Sequence, residues 1–350
     1  MAQAKISNLS EFLRHSGAKY RVFDLGRRVQ KIPADVFEQI ENAQLPYPTP
    51  FQRTALFGII FWHPKAEKQY YIWFLRMPLD EQGLLLQSAR DEFLVMVLER
   101  VGESMLAVAD GQKIQGALKD SPYTFKPRED KMAAFNAQAT YQLKLPPSQY
   151  YQNAYQYFTG QQNKDNWQQL AMQGVADFAV RVDEVDSARA AAKYLPQLPP
   201  VPLQTLSQFL ENAEPPTSLV EAFSNQLSET LQSSEVDQAK IVACLRAASN
   251  APAQSLLNQM VEQTLQHDCC RDIEVLAVIA GRCWQALKQP HLANLFCEQL
   301  AQNNAGQAAF SQLLADLLFI PDMREPIMQA LRSPERSEVL SVAVGEMFGH

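Results

Sequence analysis

Four prolines in the second half of the chain keep a nearly fixed spacing: Pro216, Pro252, Pro290 and Pro326 stand 36, 38 and 36 residues apart. Each precedes a stretch whose apolar residues recur at helical intervals. A proline is tolerated in the first helical turn because its missing N–H would have no partner there in any case. Leu257, Leu295 and Leu331 each follow one of these prolines by five residues, whereas Glu221 interrupts the pattern in the first repeat. Further helical stretches, residues 236–248, 272–287 and 307–319, come before the last three prolines. Each proline therefore marks the turn inside a helical pair. Paired helices at this period bury their apolar faces only by stacking on their neighbours, as in HEAT, armadillo or TPR solenoids. The TPR and ankyrin consensus residues are absent, so the spacing predicts the class alone: three to four helical pairs closed by a capping helix at 333–348.

Composition changes where the repeat begins. All 11 tyrosines lie before Leu195, and only six of the 33 aromatic residues follow Pro216. Residues 1–200 carry 23 basic and 21 acidic side chains, and residues 201–350 carry 8 and 17, a balance of −9 in a chain of net charge −7. Between them runs LPQLPPVP (195–202), whose four prolines read as an extended linker. The expected organisation is an α+β domain over 1–120, a helical bridging region over 121–200 ending in that linker, and an all-α repeat domain over 203–350.

In the first region, YRVFDL (20–25) alternates apolar and polar residues as a strand does, and 33–42 has helical spacing. Residues 51–62 and 69–77 are rich in aromatic and β-branched residues and flank the polar HPKAEK, which predicts an antiparallel hairpin over 51–77. After Pro78, LDEQGLLLQSARDEFLVMVLERVG reads as one long helix with Leu85, Leu86, Ala89, Phe93, Val97 and Val101 on one face. Farther on, 126–143, 147–158, 165–176 and 181–194 read as helices. In 147–158, Tyr151, Tyr155 and Phe158 share a face and are expected in a core, leaving Tyr150 and Tyr157 on the other side. The predicted fold class is an α+β N-terminal domain followed by an all-α, HEAT/armadillo-like repeat domain, mostly α overall.

The opening segment 1–17 is amphipathic and lacks the continuous apolar run of a secretory signal. The strongest apolar runs, 55–62 and 93–98, fall short of the ~18–20 residues that span a bilayer. The five cysteines are an odd number, all after residue 243, and do not resemble a disulfide framework. A cytoplasmic protein without membrane segments is the expectation.

The stretches YRVFDLGRRVQKI, FQRTALFGIIFWHP and YYIWFLRMPLDEQGLLLQSARDEFL resemble a family of uncharacterised bacterial cytosolic proteins of about this length, noted for an LDE motif. Here that motif is Leu79, Asp80 and Glu81. The resemblance implies a bacterial cytosolic protein and supplies no activity.

Three groups of residues carry candidate chemistry. Asp80 and Glu81 follow a strand at the expected start of a helix, where acids in the first turn complement the helix dipole, and this capping role is the reading preferred; the rival is an enzyme site with Arg76 in which the carboxylate pair holds a cation or acts as general base. Arg27, Arg28 and Lys31 stand past the first strand in a segment, 1–31, with seven basic and two acidic side chains. Arginine forks match phosphate or carboxylate, and with Trp62, Trp73, Tyr70 and Tyr71 in the neighbouring hairpin they suggest base stacking on single-stranded RNA; the plainer reading is a solvated basic turn beside an aromatic core. The tract HDCC (267–270), with Cys283, His291 and Cys297, lacks paired zinc-ligand spacing and reads as cysteines buried in helices. Walker, dinucleotide, zincin and nucleophile-elbow motifs are absent, so no catalytic residue, metal ligand or cofactor is assigned. The reading that follows is an adaptor whose acidic helical surface binds another protein with a basic surface. RNA or anion binding through Arg27 and Arg28, and an enzyme site around Arg76, Asp80 and Glu81, are the alternatives.

Overall fold

The computed structural model describes residues 6–64, 69–101, 118, 121–183 and 185–349. The 65–68 part of the expected hairpin turn, and the side chain of Val101, lie outside the described residues. The chain divides into two compact units, Met1–Phe135 and Asn136–His350. The division falls inside a helix, Glu129–Gln142, and not at the proline run.

The first unit is α+β. Its elements are α1 (Leu9–His15), β1 (Lys19–Asp24), β2 (Gln30–Ile32), α2 (Ala34–Glu41), β3 (Thr54–Trp62), β4 (Tyr71–Pro78), α3 (Gln87–Val101) and the start of α4 (Glu129–Gln142). The four strands form one antiparallel sheet in the order β2-β1-β3-β4. Strand alternation sorts the side chains. Val22, Phe57, Ile59, Phe61, Trp73, Leu75 and Met77 share the inner face and are buried. Their rings interlock edge-on: Phe57 against Phe37 of α2, Phe61 against Trp73, and Trp73 against Phe93 of α3. Aromatic and β-branched residues suit this half-buried pleated surface, and edge-to-face contact matches the ring quadrupoles.

Part of the outer face lies under α4, where Phe135 meets Phe23 and Phe74 edge-on at 5.4 and 5.1 Å. Gly58 makes that approach feasible, since a Cβ there would stand 2.7 Å from the Phe135 ring. The outer edge of β4 is closed by residues 121–125: the Arg76 N–H donates to the Tyr123 carbonyl (2.8 Å), and the Phe125 N–H donates to that of Phe74 (3.3 Å).

The helix expected from Leu79 begins only at Gln87. Residues 79–86 form a loop, because Asp80 accepts the backbone N–H groups of Gln82 and Leu84 at 2.8 and 2.9 Å. Gly83, at φ +77°, supplies the left-handed turn that closes it. Asx-type bonding of this kind competes directly with helix.

The second unit is all-α. Its helices are α5 (Tyr151–Phe158), α6 (Met172–Val180), α7 (Val185–Tyr194), α8 (Pro200–Leu210), α9 (Thr217–Leu231), α10 (Gln238–Ala248), α11 (Gln254–Leu265), α12 (Ile273–Arg282), α13 (Pro290–Ala301), α14 (Gln307–Leu318), α15 (Arg324–Leu331) and α16 (Glu338–Phe348). They stack in two rows of alternate helices. One row runs α6, α8, α10, α12, α14 and α16; the other runs α5, α7, α9, α11, α13 and α15. This is the helical-repeat architecture expected, and the alternation begins at Tyr151, upstream of the first periodic proline. Pro216 is the residue before α9, and Pro290 opens α13. Pro326 lies in the first turn of α15.

Two local expectations are corrected. The run 195–202 is not extended: Leu195–Gln197 is a 3-10 turn, and Pro200 and Pro202 sit in the first turn of α8, where a missing N–H costs nothing. The helix expected over 165–176 is split at Leu170 and Ala171, which are extended, between a 3-10 segment (Lys164–Gln169) and α6. In α5, Tyr157 and Phe158 are the fully buried rings, and Tyr151 and Tyr155 are half-exposed. The Tyr157 hydroxyl donates to the Lys164 carbonyl (2.8 Å), so the 3-10 segment covers the face that helical spacing alone assigns to solvent. Tyr150, as expected, is exposed.

Candidate functional site

The part of the outer sheet face left clear of Phe135 carries the chemistry expected of the first unit, with a changed cast. Register places Lys19 opposite Trp62, Arg21 opposite Ile60, and Ile60 opposite Ile72. The side chains of Lys19, Arg21, Trp62 and Ile72 therefore emerge on one side of the sheet. The Arg21 guanidinium lies over the Trp62 ring, 5.6 Å from its centroid, and Tyr70 packs beside Trp62 at 5.7 Å. Ile72 is 37% exposed, a large apolar residue open to solvent in the middle of this patch.

Lys31 of β2 is opposite Phe23, one diagonal step from Arg21 on the same face. Because β2 has three residues and ends at Pro33, the outer edge of β1 is uncovered from Arg21 backward. The gap is a concavity of about 250 Å³ lined by Tyr20, Arg21, Lys31, Ile32 and Pro33 among others, with no carboxylate in its lining.

Of the sequence-derived candidates, Lys31, Trp62 and Tyr70 belong to this patch. Arg27 and Arg28 do not: they are 2% and 1% exposed. Arg27 Nε donates to the Pro50 carbonyl (3.0 Å), and the Arg27 carbonyl accepts from Lys131 Nζ (3.1 Å). The β1–β2 turn is folded inward, where sequence composition predicts a solvated basic turn. Trp73 is buried on the inner face. Arg76 is exposed on the outer face but lies beyond Phe74, at the other end of β4 from Tyr70. Asp80 staples the 79–86 loop and Glu81 is exposed beside it, so the pair is neither a helix start nor joined by further carboxylates. Among the described residues no group of three or more His, Cys, Asp or Glu side chains is placed to hold a metal ion.

Sequence reasoning missed Arg21 and Ile72. The signal for Arg21 was present: in YRVFDL it is one of the residues that alternate away from Tyr20 and Val22. The same alternation puts Asp24 on the inner face, where it is fully buried. Its carboxylate accepts the Gly26 N–H (2.6 Å) and the hydroxyls of Tyr47 and Thr49. Burial pushes the Asp24 carboxyl up to about 6, against the opposing pull of these hydrogen bonds and of Lys131. Glu41, also buried, accepts the N–H groups of Leu9 and Ser10 at the start of α1 together with the Ser10 hydroxyl, and burial raises its pKa as well. Both buried acids bind the chain to itself.

In the second unit, Glu211 at the end of α8 is 2% exposed and accepts from two arginines: Arg246 Nε of α10 at 2.7 Å and Arg282 Nε of α12 at 2.8 Å. Three successive helices of one row are thus tied through one carboxylate. Along the solvent side of that row lies a furrow of about 330 Å³ lined by Val201, Gln204, Gln208, Val242, Arg246 and Glu274, with smaller side chains between them. Ala277 and Gly281 continue the solvent side of α12. Cys244, Cys270, Cys283 and Cys297 are buried, and burial pushes the Cys244, Cys270 and Cys297 thiols up to about 12. No helix of the described residues is long and apolar enough to cross a membrane.

No curated protein and no solved structure matches this chain. Residues 4–348 match the family described as protein of unknown function DUF3549. With that match running over nearly its whole length, the chain belongs to the DUF3549 family.

Proposed function

We propose that this protein is a bacterial cytosolic adaptor that holds a basic helical segment of another protein along the α8–α10–α12 row. The observation that carries this reading is the furrow beside the Glu211 ion cluster. Its floor is built of short side chains, Ala239, Val242 and Ala243, which let a helix approach closely. Glu211 engages both arginines of the row, while residues 201–350 keep 17 acids against 8 bases. The half of the chain that carries the row is thus net acidic, which favours a basic partner and makes association sensitive to salt. Stacked repeats present such extended surfaces as a consequence of their architecture.

The test is affinity capture of the intact tagged chain from cytosol at low and high salt, beside the variant Gly281→Arg. A Cβ at Gly281 meets nothing within 4 Å, so the added cation repels a basic partner without disturbing the core. A stoichiometric protein retained by the native chain, released by salt and absent from the variant, supports the reading. A partner that binds both chains equally, or no partner at all, defeats it.

A further inference from the structure

The outer sheet face of the first unit combines three features that the adaptor reading leaves unused. The first is like charge with no ion-pair partner among the described residues. Lys19, Arg21 and Lys31 emerge on one side of the sheet; none makes an ion pair with a described residue, and the concavity between Arg21 and Lys31 has no carboxylate in its lining. Like charges on neighbouring strands destabilise a sheet unless an anion is shared between them. Elsewhere the same unit does pair its exposed arginines, as Arg14 with Glu38 at 2.7 Å and Arg128 with Asp130 at 2.7 Å. The second feature is a ring platform: Trp62 carries Arg21 on its face and Tyr70 beside it, with Ile72 open to solvent next to them. The third is the free edge of β1 beyond the three-residue β2, which leaves the concavity open along the strand.

A compact inorganic anion would satisfy the charges and leave the rings idle. A structural core would bury the rings and exclude the charges. A polyanion that also carries flat apolar rings satisfies both. We infer that this face binds single-stranded nucleic acid, with Lys19, Arg21 and Lys31 against the phosphates and with bases stacked on Tyr70 and on the outer plane of the Arg21 guanidinium. Charged grooves lined with stacking rings bind single strands with little sequence preference. A duplex, whose bases are already stacked, cannot use the rings. The inference stands apart from the adaptor reading, since none of its residues belongs to the second unit.

The experiment is fluorescence anisotropy of the intact chain with a labelled twelve-residue oligo-dT, its RNA counterpart and a duplex of equal length. Single strands should bind more tightly than duplex. With three phosphates neutralised, affinity should fall roughly twentyfold between 50 and 200 mM salt, from a slope of about −0.7 per phosphate. Lys31→Glu, at an exposed edge position, should cost about fivefold or more from the same counterion term. Tyr70→Ala should cost about fivefold or more through lost stacking. Arg324→Glu, the same charge change at an exposed site of the second unit, should leave binding unaltered. Circular dichroism melts confirm that each variant is folded. Absence of binding at 50 mM salt overturns the inference, as does an equal loss in Arg324→Glu. Displacement of the strand by polyglutamate as readily as by unlabelled oligo-dT also overturns it, and would assign the face to an acidic protein segment.

Discussion

Tyr47 donates its hydroxyl proton to the carboxylate of Asp24, 23 residues earlier in the chain, and both side chains are buried. The contact joins the end of β1 to the segment that leads into β3, and Thr49 completes it from the other carboxylate oxygen.

Stability should depend on pH through this group. A carboxyl held at about 6 in the native state, against about 3.9 unfolded, binds a proton that the unfolded chain has lost. Its contribution is therefore greatest below pH ~4, declines as pH rises to about 6, and is level above. Denaturant midpoints between pH 4.5 and 7.5 should show this decline in the native chain and a flatter profile in Asp24→Asn. Tyr47→Phe should cost about 1–3 kcal/mol at neutral pH, because it leaves a buried carboxylate short of a donor.

Two glycines should respond oppositely to alanine. At Gly58 a Cβ would stand 2.7 Å from both Leu25 and Phe135, so Gly58→Ala overpacks the contact between α4 and the sheet and should destabilise by about 1–3 kcal/mol. At Gly281, inside α12 with open space around it, alanine should stabilise by up to ~1 kcal/mol through helix propensity. Equilibrium unfolding of the two variants decides the matter.

The Glu211 cluster should behave as a unit. Arg246→Met leaves Glu211 paired with Arg282, and Arg282→Met leaves it paired with Arg246. Each single change should cost less than half of the double change, with a coupling energy of about 0.5–3 kcal/mol in a double-mutant cycle. Additive costs would mean that the two arginines act separately.

Asp80 and Glu81 should separate cleanly. Asp80→Ala removes the acceptor of two backbone N–H groups in the 79–86 loop and should cost about 1 kcal/mol. Asp80→Asn retains that oxygen and should cost less. Glu81→Ala, at an exposed position, should stay within ~0.5 kcal/mol. Thermal melts with and without added divalent cation check this, and the loop-staple reading expects no dependence on the cation.

Alkylation should single out Cys269. It is half-exposed, whereas the other four thiols are buried. Mass spectrometry after iodoacetamide treatment should find one adduct on the native chain and five in denaturant. Burial and the neighbouring acids Asp272 and Asp268 raise the Cys269 thiol, so the native reaction should need a more alkaline pH than that of the same cysteine in denaturant.

Much of the scaffold was legible because it rests on local rules. Prolines that open helices, apolar spacing near 3.6 and strand alternation act over a few residues, so the repeat unit and the 51–77 hairpin strands could be read directly. Errors fell where a local signal was outcompeted by contacts from elsewhere in the chain. The spacing of 79–86 fits a helix, yet the Asp80 carboxylate bonds its own loop. Tyr157 lies on the nominal solvent face of α5, yet Lys164 folds back over it.

The sequence by itself determined the class of each half, the period of the helices, the break in composition and the acidic balance of the repeats, since each depends on residues close together in the chain. Tertiary structure alone decided which charges meet solvent. Arg27 and Arg28 sit a few residues from Arg21 and Lys31, with the same side-chain chemistry, yet the first two turn inward and the other two share an open concavity. That outcome depends on β2 stopping after three residues and on Phe135, more than a hundred positions away, covering one part of the sheet and not the rest. Burial is a property of the whole packing, and no window of sequence contains it.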